Sequence, residues 1–367
     1  MSDNREWRQS NRTGGVKTSR LPGAGFALLT ALAIMSLTGQ ASAQPGQAGR
    51  QAASDNSDQA DFQNDAILGM PNQQTPVPQD NEYATAPGAE QRATPTPFTF
   101  NIVAPLQYNS NATTANQNGQ EALEANPDVR LSYATQLFDS NFRFTGQLRY
   151  DGEYFGPPVG NRNVDFLRLN ARVQYVNPNN DQDYSPYFAF APRWSYEPFL
   201  SENIANRQDL NVGVQKRFNF DSSFARVPEA ARTGSATTWS FGANVFFQQR
   251  FNSPLPNSQA LIGVLSASYS ISDSWSASLA SDFTRRWFDE VRGVTRQGFV
   301  VEPILTVEYK LPAELFGGNA AAFGNPALDF QASGEQEYSN ITRREFSAFY
   351  IGAAIKFGYR FGLFGLR

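Results

Sequence analysis

From Phe346 to Phe361 the chain reads FSAFYIGAAIKFGYRF, and a strict period of two sets Ile351, Ala353, Ile355, Phe357, Tyr359 and Phe361 on one face. That period is the period of a β-strand. The opposite face carries Gly352, Ala354, Lys356, Gly358 and Arg360, and is small and cationic. A strand with so apolar a face, left at the edge of an open sheet, would invite pairing with another chain. Closing the sheet into a barrel removes the edge, so this stretch constrains the fold more than any other.

The same pattern repeats from Pro97 onward as alternating stretches of about ten residues separated by polar turns, the signature of a membrane barrel. The spacing predicts strands running from Phe98 to Tyr108, Val129 to Leu137, Phe142 to Tyr150, Leu167 to Tyr175, Phe188 to Tyr196 and Leu210 to Phe220. The second half continues with strands from Trp239 to Phe247, Leu265 to Ile271, Trp275 to Phe283 and Phe299 to Tyr309, a weaker one around Leu328, Phe330 and Ala332, and the closing strand. The reading is all-β: a transmembrane antiparallel up-and-down barrel of about 12 strands, within a range of about 10 to 14. Aromatic residues at strand ends, among them Tyr108, Tyr175, Trp275, Trp287 and Tyr309, suit two interfacial girdles. With both barrel ends in the periplasm, the turns at Asp139 and Asp273 are periplasmic, and the connections 221–235 and 311–326 are long for that side. A secreted β-sandwich also alternates, but it has no reason to end so many strands in Trp or Tyr.

The closing strand, with its alternating apolar residues and terminal aromatics Phe357, Tyr359 and Phe361, resembles the last strand of Gram-negative outer-membrane β-barrels, which the barrel-assembly machinery of that membrane reads as a signal. It departs from that class in the tail Gly362 to Arg367, because there the aromatic is usually the final residue. The resemblance spans residues 97–361. It implies an outer-membrane location, contact with lipid and lipopolysaccharide, and delivery by the assembly machinery.

Composition agrees with this reading chiefly by what it excludes. The 367 residues include no Cys and no His and carry a formal charge of −4. A disulfide framework, a thiolate metal site and an N-terminal lipidated Cys are therefore ruled out, and no cofactor is expected. Mild acidity argues against a nucleic-acid partner, which needs a basic patch. The mean hydropathy of −0.46 does not argue against a barrel, because lipid-facing residues alternate with polar ones.

Phe26 to Leu37 is an apolar run preceded by Lys17 and Arg20 and followed by Ala41-Ser42-Ala43, which reads as a secretory signal over residues 1–43. The polar leader before Val16 is long, and translation starting at Val16 would leave an ordinary signal. Residues 44–96 are rich in Gln, Asn and Pro without either period and read as a disordered periplasmic segment. Its apolar island, Ala66 to Met70, is either a docking or lumen-plugging peptide or a tolerated patch in a tether. The barrel itself is assigned to 97–367.

Positions between the apolar ones face the lumen, and their charges are uneven. Arg130, Arg143, Arg149, Arg168, Arg172 and Arg193 form a basic wall, and Asp282, Glu302, Glu308, Asp329 and Glu335 an acidic one. Such a pair of walls resembles the transverse field of general porins and implies a channel for passive diffusion of small hydrophilic solutes, monomeric or trimeric. The alternative is a non-conducting structural or interaction barrel whose lumen is plugged by Arg–carboxylate pairs. An enzyme is not expected: outer-membrane hydrolases rely on a His, and Asp282 with Glu302 is explained more simply as lumen wall than as an acid–base pair.

Overall fold

The computed structural model describes residues 98–113, 119–137, 141–177, 184–227, 238–290, 295–341 and 344–361, side chains at 161, 321, 360 and 361 excepted. The signal and linker readings for 1–96, the Asp139 turn, the Phe361 side chain and the tail from Gly362 lie outside the described residues.

Among the described residues thirteen strands follow in order: β1 (Phe98–Asn109), β2 (Ala122–Ala125), β3 (Asp128–Gln136), β4 (Phe142–Phe155), β5 (Val164–Tyr175), β6 (Ser185–Tyr196), β7 (Asn203–Phe220), β8 (Trp239–Ser253), β9 (Ser258–Ser270), β10 (Trp275–Phe288), β11 (Gln297–Lys310), β12 (Ala327–Ser339) and β13 (Phe346–Phe361). Each is antiparallel to its neighbours, and β13 returns to β1 from Phe98↔Phe361 to Asn109↔Tyr350. The sheet is closed, so neither terminal strand has an unpaired edge.

β2 and β3 are two parts of one stave. β2 pairs with Leu106–Asn109 of β1, and β3 with Phe98–Val103. The gap falls at Asn126-Pro127, opposite Ala104-Pro105, and neither proline has an N–H to give to the ladder. Side bonds hold the break: Asn126 N donates to Pro105 O at 3.3 Å, and Gly152 N to Pro127 O at 3.0 Å. Thirteen strands thus make twelve staves, an even number. Of these, only the short β2 piece, ALEA, lacked an apolar alternation that the sequence reading could use.

The apolar sets point outward. Leu106, Leu131, Leu148, Phe188, Val212, Val245, Leu265, Leu279, Leu305, Phe330, Ile351 and Ile355 are all exposed on the outer wall. Aromatic pairs gather at the end where β1 begins and β13 finishes, the terminal end: Trp239 with Tyr269, ring centres 4.3 Å apart, Trp275 with Tyr309 at 4.5 Å, and Phe98 with Tyr133 at 4.9 Å. Phe100 and Tyr359 meet across the closing seam at 6.4 Å. At the opposite end Phe251, Trp287, Tyr338 and Phe349 stay exposed on the same outer face. Two belts of this kind match the two membrane–water boundaries.

Inside, one apolar cluster crosses β6, β8 and β9: Tyr187, Ala189, Phe246, Ala260, Ile262 and Val264. Gly213 on β7 makes it possible, since a Cβ there would lie 2.4 Å from Phe246 Cβ and 2.8 Å from the Tyr187 ring. A second buried apolar cluster is formed by Val164, Phe166 and Ile204, and Val300 and Ile304 on β11 are also buried; most of the other inward positions described are polar or charged.

This assignment of faces predicts opposite outcomes for adjacent substitutions on β9. Leu265→Arg places a guanidinium toward lipid near mid-strand and should cost about 2 to 4 kcal/mol, read as a lowered urea midpoint in phospholipid vesicles. Ser266→Arg points inward beside Gly242 and should leave the midpoint nearly unchanged.

Candidate functional site

The interior is organised by a ladder of arginines. Strand register places Arg130 opposite Arg149, Arg149 opposite Arg168, Arg168 opposite Arg193, and Arg193 opposite Arg207, so five guanidinium groups follow one another across β3 to β7. Like charges directly opposite repel. The sequence compensates with aspartates two residues along: Asp128, Asp151 and Asp209.

Asp128 accepts from Arg130 Nε at 2.7 Å and lies 2.9 Å from Arg149. Asp151 lies 3.4 Å from Arg149 and accepts from Arg168 at 2.6 Å. Asp209, only 1% exposed, sits 3.0 Å from Arg207 Nε and accepts two bonds from Arg250, at 3.0 and 3.3 Å. The fork of Arg250 on Asp209 is the bidentate geometry that makes Arg–carboxylate pairs strong. Phe166, fully buried, lies between two further members: Arg168 and Arg193 stand 5.0 and 4.8 Å from its ring centre. A ring face attracts each cation. Arg286 extends the chain by donating to Gln248 Oε1 at 3.3 Å.

Two predicted basic residues sit off this ladder. Arg143 faces Gln136 and Gln174 across the sheet. Arg172 stacks 3.7 Å over the Tyr187 ring and donates to Gln215 Oε1 at 2.6 Å.

The acidic residues occupy β10 to β12, on the far side of the ring of staves. Asp282 lies directly opposite Glu302, both buried. Glu335 on β12 accepts from the Tyr350 hydroxyl at 3.1 Å, and Tyr350 neighbours Asn109, which donates to Glu124 at 3.0 Å. The arc therefore runs on through β13 and β1 into β2. Asp282 Oδ2 and Glu335 Oε1 have no hydrogen-bond partner among the described residues. The other two predicted acids lie nearer the terminal end and share one cation: Lys356 donates to Glu308 at 2.6 Å and stands 3.8 Å from Asp329. Among the described residues no group of carboxylates is placed to hold a metal ion.

All of the expected wall residues fall on inward positions, but the basic wall is a zipper of alternating sign. Arg207, Arg250, Arg286 and Glu124, with the three aspartates, were missed because the strands are longer than their apolar runs. β7 begins at Asn203 and β8 ends at Ser253, so the alternation continues in polar residues beyond Leu210 and Phe247. Of the closing-strand aromatics, Phe357 and Tyr359 lie outward, opposite Ile102 and Phe100.

No family model and no curated protein sequence matches the chain. Solved structures do resemble it: an outer membrane channel from Pseudomonas putida F1, 12% identical over 75% of this chain and 99% of that one, with a TM-score of 0.44; the translocator domain of the autotransporter NalP from Neisseria meningitidis, 10% identical over 86% and 100%, TM-score 0.41; and the NanC porin, 9% identical over 71% and 100%, TM-score 0.36. A closed antiparallel barrel of twelve staves with an apolar outer wall, two aromatic belts and a charged interior is a Gram-negative outer-membrane β-barrel.

The zipper predicts unequal costs for its members. Asp209→Asn leaves Arg207 and Arg250 facing one another without the carboxylate and should cost about 3 to 5 kcal/mol in urea unfolding. Glu308→Gln removes a pair whose side chains are 17% and 29% exposed, and should cost no more than about 1 kcal/mol.

Proposed function

We propose that the protein is a porin-like channel for passive diffusion of small hydrophilic solutes across the outer membrane. It is not an enzyme, and it is matured by removal of residues 1–43 and inserted by the barrel-assembly machinery beside lipid and lipopolysaccharide. The observation that carries this reading is the uneven interior: an arginine–aspartate zipper on β3 to β8, and on β10 to β2 an excess of carboxylates among which Arg286 and Lys356 are the cations named above. Stability alone gives no reason for such an interior, because replacing buried ion pairs with apolar side chains is often neutral or stabilising. A solute path does give one. Guanidinium groups that cannot be deprotonated keep a fixed field across the lumen.

A second reading has its own support. Arg149, Asp151, Arg193, Asp209 and Arg250 are all buried, as they would be in a lumen closed by its own side chains, which is the non-conducting structural barrel.

Planar-bilayer recording separates the two. A channel gives stepwise conductance with weak net selectivity. Arg172→Gln strands no carboxylate and should move the reversal potential toward cations, whereas Glu302→Gln should move it toward anions. A silent native barrel that begins to conduct when Asp209 is replaced by Asn would overturn the channel in favour of the plugged barrel.

A further inference from the structure

At the terminal end the described parts of two connections, 221–227 and 311–326, reach the aromatic belt of the outer wall. In 311–326 the helical turns Ala313–Phe316 and Ala320–Phe323 are joined through Gly317 and Gly318, at φ of 63° and 80°. The base of the loop closes where Leu311 N donates to Pro326 O at 2.9 Å. Gly324, at φ 74°, then lies against β13: a Cβ there would sit 2.7 Å from the Tyr359 ring, and Gly358 N donates to Gly324 O at 2.6 Å. Tyr359 belongs to the outward aromatic belt, and Gly324, continuing the β12–β13 register beyond Ala327, brings the end of the loop next to it. Leu315 is 68% exposed there and Phe323 47%, with the Phe316 and Phe323 rings 5.3 Å apart.

The connection after β7 does the same by different means. Asp221 Oδ1 accepts from Ser223 N at 2.8 Å, Ser223 Oγ at 2.6 Å and Ala225 N at 2.9 Å. This turn presents Phe224, 59% exposed, which stacks on Trp239 at 5.4 Å and flanks Phe220 at 6.3 Å. Trp239 in turn meets Tyr269. Both exposed patches are therefore continuous with the aromatic belt, the part of the molecule already committed to the membrane boundary.

We propose that these two loops are feet that insert Leu315, Phe323 and Phe224 into the boundary between headgroups and acyl chains of the phospholipid leaflet around the terminal end. Continuity with the lipid-facing wall favours this occupant over a protein partner. Aromatic and leucine side chains on one face, with polar groups such as Glu314 and Asn319 beside them, are what that boundary accommodates. The feet would set the depth and tilt of the barrel, and this holds whether or not the lumen conducts.

The absence of native cysteine makes the test direct. Single variants Leu315→Cys, Phe323→Cys and Phe224→Cys, with Glu314→Cys as the in-loop comparison, are labelled with an environment-sensitive fluorophore. The labelled proteins are refolded in phosphatidylcholine–phosphatidylglycerol vesicles, and folding is checked by heat-dependent gel migration. Labels at 315, 323 and 224 should be quenched by phospholipid carrying a spin label high on the acyl chain. They should also be several-fold less quenched by aqueous iodide than the label at 314. Iodide quenching equal to that at 314 would overturn the proposal by placing the loops in water. Protection from both quenchers would overturn it too, by placing them under protein.

Discussion

The hydrogen-bonded seam between β1 and β13 is the constraint on which the rest depends. In lipid an unpaired backbone N–H or C=O has no water to turn to, so a spanning sheet must close on itself. The pairing from Phe98↔Phe361 to Asn109↔Tyr350 provides that closure over the full length of β1. It also fixes parity. A shift of one residue would turn every side chain of a strand to the other face, moving Ile351 and Ile355 into the lumen and Lys356 into lipid. The outer apolar wall, the two belts and the inner charges are all consequences of that single register.

Closure concentrates charge. Alternation sends every second residue of each strand inward, and the register across β3 to β7 brings five arginines into line. Left alone, they would repel one another through a medium less polar than water. The aspartates at 128, 151 and 209 relieve this locally, and the Phe166 ring shared by Arg168 and Arg193 relieves it further. The result is a rigid, cross-linked half of the wall, where lysine would serve poorly because it lacks the planar fork. The β10 to β12 half is different: Asp282 and Glu302 are directly opposite one another on β10 and β11, and Glu335 follows on β12. An interior whose arginines and carboxylates are unevenly distributed around the ring of staves has a direction across it, and that asymmetry is the basis of the proposed channel.

Much of this was legible in the sequence, for a physical reason. Lipid demands an apolar residue at every second position, so the middle of each strand announces itself, and all twelve staves were readable from runs such as Trp239 to Phe247 and Ile351 to Phe361. Strand ends were not, because beyond the apolar zone both faces are polar and the alternation carries no signal. That is where Arg207 and Arg250 lie. The split stave was hidden because Pro127 interrupts the ladder next to a segment, Ala122–Ala125, that is too short to show a period. The pairing of charges was illegible for a further reason. Asp209 and Arg250 meet only through the register of β7 on β8, and no spacing in one strand discloses its neighbour's register. The connections 221–235 and 311–326 sat uneasily with a barrel whose short turns belong at the terminal end; where they are described, Phe224 and Gly324 lie beside belt residues Trp239 and Tyr359.

The seam can be measured directly. Ala104 and Ile355 are register partners on the outer face of β1 and β13, and the chain has no other cysteine to interfere. A variant carrying Ala104→Cys and Ile355→Cys, folded in vesicles and treated with a membrane-permeant oxidant, should form an intramolecular disulfide that shifts migration on a denaturing, non-reducing gel. A variant pairing Ala104→Cys with Ile351→Cys, whose partner is Tyr108, should not. Failure of the first pair to cross-link, or equal cross-linking of both, would contradict the closed register from which the faces, the charge ladder and the lumen all follow.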